Sequence, residues 1–83
     1  MSESKNKSIS KLYELVVYND EKNSFEDVIV ALMEECQHNP YQAEQCALII
    51  DAKGKYTVKH GPIDEVLYLC SKLVERGLIA NIK

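Results

Sequence analysis

The sequence predicts an α+β domain in which three helices pack on one face of a three-stranded antiparallel sheet. Three observations carry that reading. Apolar residues recur at helical spacing in three segments, three short β-branched or aromatic runs alternate with them, and helix start and stop signals fall at the joins. The order is strand, helix, helix, strand, helix, strand, which suits one sheet covered by one layer of helices. Eighty-three residues, 46% of them hydrophobic, are enough for a single modest core, and they argue against wholesale disorder or a deep cleft between two domains.

Met1 to Ser10 is Ser, Lys, Glu and Asn with one Ile, and is expected to be a mobile tail ahead of a core domain spanning 11–83. Lys11 to Tyr18 is the first strand, with Leu15, Val16, Val17 and Tyr18 as its buried run. Asn19-Asp20-Glu21 ends it with side chains that bond their own backbone. Asn23 then reads as a helix N-cap with Glu26 reaching back in a capping box; the competing choice is Ser24 with Asp27. From Ser24 to about Cys36, Phe25, Val28, Ile29, Leu32, Met33 and Cys36 mark one helix face. Asn39-Pro40 starts a second helix as cap and first helical residue. Ala43, Cys46, Ala47 and Ile50 share a face, although Ala47 to Ile50 alone could be a buried strand. The helix is preferred, to about Ala52, because Gly54 suits its end. Lys55 to His60 reads as a half-buried strand and Gly61-Pro62 as a turn. Ile63, Val66, Leu67, Cys70, Leu73 and Val74 form a third helical stripe ended by Gly77, and Leu78 to Ile82 is the last strand.

Composition narrows the function. The net charge of −3 and the lack of a basic cluster argue against nucleic acid as a partner. No apolar run reaches membrane-spanning length, and no signal-peptide core is visible at the start. Three irregularly spaced cysteines do not suggest a disulfide framework, so the expected compartment is the cytoplasm, with reduced thiols. Cys36-x-His38 with Cys46 lacks the paired spacing of a metal site, and no thiol has an evident His with its own orienting partner. The chain therefore reads as a non-enzyme that needs no cofactor.

The turn after the first strand is where chemistry gathers. Its carbonyl and carboxylate oxygens crowd one corner beside Phe25 and Val28, and could accept hydrogen bonds from a cation whose apolar part lies against those side chains. Asn19-Asp20-Glu21-x-Asn23-Ser24-Phe25-Glu26-x-Val28 resembles the Asn-Asp-Asp-x-Thr-Pro-Met-Glu-x-Val signature of the ClpS family. These adaptors bind proteins through a destabilising N-terminal residue and hand them to the Clp protease. The resemblance implies the same fold, a Clp-family AAA+ unfoldase as one partner, and substrate proteins beginning with Leu, Phe, Tyr or Trp as the other. It implies that Asn19, Glu21 and Asp51 hold the α-amino group, and that Asn23, Phe25, Val28, Ala47, Ile50 and Leu78 line the side-chain pocket. Independently of the family, Ala47, Ile50 and Asp51 follow i, i+3, i+4 spacing and share a helix face.

The sequence departs from the family pattern at several of these positions. Glu21 is one methylene longer than the family's Asp, Asp51 is a carboxylate where the family has His, Phe25 and Ala47 replace Met, and Asn23-Ser24 replaces Thr-Pro. The ten residues before the first strand are also fewer than in the best-described members. Two other readings stand beside the adaptor: a relative with altered or lost N-terminal-residue specificity, and a protein–protein docking module. The latter shares its element order with the C-terminal domain of the ribosomal stalk protein.

Overall fold

A computed structural model describes residues 11–83; the predicted tail, Met1 to Ser10, lies outside the described residues. The elements in chain order are β1 (Tyr13–Tyr18), α1 (Phe25–Cys36), α2 (Pro40–Lys53), β2 (Lys55–Gly61), α3 (Ile63–Glu75) and β3 (Ile79–Ile82). The sheet order is β2-β1-β3, antiparallel throughout, so β1 is central. Its central place explains why Leu15, Val16 and Val17 are all buried, whereas β3 at the edge has no fully buried residue. Leu15 and Val17 face the helices and meet Leu32 of α1, Ile50 of α2 and Leu73 of α3 in one core. Truncating any of the fully buried leucines to Ala would cost about 2–5 kcal/mol.

The strand limits are tighter than the sequence suggests. Lys11 and Leu12 precede β1 because Tyr13 pairs with Gly61, and the partner chain then enters Pro62, which has no N–H to offer. Leu78 precedes β3 because its backbone N–H is bonded to Leu73 O at 3.1 Å, while Gly77, at φ +94°, donates to Val74 O at 2.9 Å. Those two bonds close α3 as a Schellman turn, and they hold Leu78 in the core instead of in the ladder. The run from Ala47 to Ile50 is helical.

Between β1 and β2 the register slips by one residue. Leu15 faces Lys59 and Val16 faces Thr57, so Val58 is the extra residue of a bulge. Its free carbonyl is met by the ring of His38, Nε2 lying 2.9 Å away, while Nδ1 lies 3.2 Å from Cys36 O. His38 is 6% exposed and joins the loop between α1 and α2 to the sheet. A buried carbonyl left by an irregularity thus finds its partner in a loop side chain.

Candidate functional site

The site begins where β1 stops. Asn19 donates its backbone N–H to Gly54 O at 2.9 Å. Gly54 is the C-cap of α2, in the left-handed conformation at φ +92°. This bond ties the end of the central strand to the end of α2, so Asn19 stands beside the last helical turn, which carries Asp51. The chain then turns through Asp20, whose Oδ1 accepts from the backbone N–H of Lys22 at 2.7 Å and of Asn23 at 2.8 Å. The Asn23 side-chain nitrogen lies 3.1 Å from Asp20 Oδ2 and also reaches Gly77 O at 2.9 Å. Burial raises the pKa of the Asp20 carboxyl, but the hydrogen bonds from Asn23 and Lys22 outweigh that, and the group lies below its ordinary value.

With Asn23 so engaged, the helix cap is Ser24 and not Asn23. Ser24 Oγ accepts from Asp27 N at 3.1 Å, and Ser24 N donates to Asp27 Oδ2 at 2.9 Å, a complete capping box. Glu26 takes no part in it. The cap fixes Phe25 as the first helical residue, placing Phe25 and Val28 along the edge of α1 that faces α2.

Asn19, Asp20, Asn23, Ser24, Phe25, Val28, Ala47, Ile50 and Asp51 surround one hollow of about 180 Å³. Seven of the nine predicted site residues therefore meet there. Ala47 and Ile50, each 2% exposed, form a closed apolar wall. Phe25 and Val28 are half-buried, and Asn19 and Asp51 are exposed at the rim. The other two predicted residues do not line it. Glu21 is exposed, and Leu78, 4% exposed, borders a separate hollow of about 330 Å³ with Asn23, Asp27, Val30, Ala31 and Arg76. Asp20 and Ser24 join the lining without having been singled out as site residues. The hint for Asp20 was its place two and three residues before two backbone N–H groups, the Asx-turn geometry.

Burial pushes the Cys36 thiol up to about 11 and also raises Cys46 and Cys70, the opposite of thiolate activation. His38 has each ring nitrogen facing a backbone carbonyl, and a neutral imidazole has one N–H to donate between them. Among the described residues no three His, Cys, Asp or Glu side chains are grouped to hold a metal, and no helix is long and apolar enough to cross a membrane.

The hollow sets amide and carboxylate acceptors at its rim beside the buried aliphatic side chains of Ala47 and Ile50, in a small α+β domain. Comparison with known proteins gives the family. The profile of the family described as ATP-dependent Clp protease adaptor protein ClpS matches residues 8–80, and the chain belongs to the ClpS family. A search of curated proteins returns no match. Among solved structures, Agrobacterium tumefaciens ClpS2 bound to L-phenylalaninamide superposes with a TM-score of 0.84 at 18% identity, over 88% of this chain and 95% of that one. The shared architecture is the α+β fold predicted from the sequence.

Proposed function

We propose that this protein is a cytoplasmic adaptor, without catalytic activity of its own, that binds the free N-terminal residue of other proteins when that residue is Leu, Phe, Tyr or Trp. It then delivers them to a Clp-family AAA+ unfoldase. The observation that carries this reading is the meeting of Asn19 and Asp51 with Val28, Ala47 and Ile50 around one hollow. An α-ammonium needs two or three acceptors, preferably charged, in a fixed array, and the attached side chain needs apolar contact beside them. Asp51 supplies the charge and Asn19 the neutral acceptor. Phe25 closes the mouth, and the exposed Glu21 adds negative potential. The ligand of the Agrobacterium structure, L-phenylalaninamide, pairs a free amino group with a phenyl ring, the two features this hollow is suited to receive.

The test is fluorescence anisotropy with four peptides that differ only at the start: Leu, Phe, Ala and N-acetyl-Leu. Binding of the first two, with the others weaker by on the order of 10³-fold, is the expected result, because an uncharged amide leaves the acceptors unpaired. Equal binding of all four would overturn the reading in favour of a docking module. Its surface would then be the groove between α2 and β2 beside the exposed Tyr41 and Tyr56.

A further inference from the structure

Asn23 borders both hollows: the 180 Å³ site and the 330 Å³ space on its far side. We propose that Asn23 is the partition that sets how large a first side chain the site admits, an inference that rests on the adaptor reading above. The residue is held from three directions. Its backbone N–H goes to Asp20 Oδ1 at 2.8 Å, and its side-chain nitrogen is shared between the Asp20 carboxylate, at 3.1 and 3.2 Å, and Gly77 O at 2.9 Å. An amide nitrogen carries two protons, so these two acceptors use both, and the orientation of the amide is determined. Gly77 is itself fixed by the Schellman closure of α3, so the far anchor of the tie is rigid. Asn23 is therefore a wall and not a swinging side chain.

What the space behind this wall offers a guest is volume: its exposed aliphatic contact is Val30, while Ala31 and Leu78 are almost fully buried behind it. Its two charged residues are already engaged: Asp27 with the Ser24 N–H, and Arg76 with Glu34 and Glu35. Removing the wall would join the two volumes. The ligand class that gains is a free α-amino residue with a fused aromatic side chain, tryptophan above leucine.

The experiment measures Kd for Leu-, Phe- and Trp-initiated peptides on the wild-type protein, Asn23→Ala and Asp20→Asn, with melting curves alongside. Asn23→Ala removes three heavy atoms and is expected to shift the Trp-to-Leu preference toward Trp by at least about tenfold, the low end of the effect of a single methylene in a pocket. Asp20→Asn keeps the volume of Asn23 but turns a donor toward its amide nitrogen, loosening the tie. A smaller shift in the same direction is expected, and this variant decides alone if Asn23→Ala does not fold. A merely structural role would weaken all three peptides by a common factor. A Trp-to-Leu ratio unchanged, or moved toward Leu, overturns the proposal. Failure of the adaptor reading looks different: the wild-type protein would then fail to distinguish free from acetylated peptides.

Discussion

Helix α1 is entered and left by two connections that use polar side chains in opposite ways. The entering turn, Asn19 to Ser24, is on the surface and folds on itself: Asp20 and Ser24 satisfy nearby backbone N–H groups. Once it has done so, the Asn19 and Asp51 side chains remain exposed beside an apolar wall. The leaving turn, Gln37 to Asn39, is closed. His38 is buried with both ring nitrogens facing carbonyls, and Asn39 caps α2 through Gln42 N at 2.7 Å. The first connection leaves the Asn19 side chain exposed at the hollow, whereas the second turns His38 into the fold, so the adaptor reading assigns binding to the first and stability to the second.

The sharpest way to break this division is at the rim. Asp51→Ala or Asn19→Ala should weaken binding of a Leu-initiated peptide by on the order of 10–100-fold, the worth of a hydrogen bond to a charged group. The melting temperature should stay within a degree or two, because neither side chain is buried. Titration calorimetry beside a thermal scan checks both halves. His38→Leu should do the reverse. It strands the bulge carbonyl of Val58 in the core and should cost about 1–3 kcal/mol in urea unfolding, with affinity per folded molecule unchanged.

Asp20 belongs to the entering turn but acts on the fold, and pH separates its part. Its folded pKa is depressed, so its contribution to stability is fully present above the unfolded value of 3.8 and is lost as pH falls through the folded value. The urea midpoint of the wild-type protein should therefore exceed that of Asp20→Asn at pH 7, and the gap should narrow below about pH 4. A gap of constant size would remove the charge of Asp20 from the account. The smallest effect is expected at Gln37, which holds φ +62° at the end of α1. Gln37→Gly should stabilise the protein by about 0.5–1 kcal/mol, seen as a raised urea midpoint, by relieving left-handed strain in a residue with a Cβ.

What was legible in the sequence was what short-range chemistry decides. The faces of the first two helices, the Asn39-Pro40 start and the stops at Gly54 and Gly77 all depend on neighbours within a few residues. The stripe on α3 was misplaced: Ile63, Leu67 and Val74 are exposed, and Leu69, outside the stripe, joins Val66 and Leu73 in the core, because the sheet and not the spacing alone decides which side of the helix is covered. The common face of Ala47, Ile50 and Asp51 followed from helical spacing alone. The cap of α1 was not decidable locally, since Asn23 and Ser24 each had an acidic residue three positions on. Gly77, 54 residues away, resolves it by engaging the Asn23 side chain. The place of the Leu78 side chain was hidden in the same way, since the hollow it borders is shared with Asn23, Asp27, Val30 and Ala31, far away in the chain. The bond of His38 to Val58 was hidden because it depends on a bulge, and bulges arise when two strands are matched to each other.

The most direct test of the contrast between the two turns is a pair of ¹⁵N-resolved NMR titrations, one with L-phenylalaninamide and one with its N-acetyl derivative. The account predicts that the free amine moves the amide signals of Asn19 to Val28 and of Ala47 to Asp51, leaves Gln37 to Asn39 in place, and that the acetylated compound moves none of them. Shifts of equal size with both compounds, or shifts centred on the leaving turn, would contradict it.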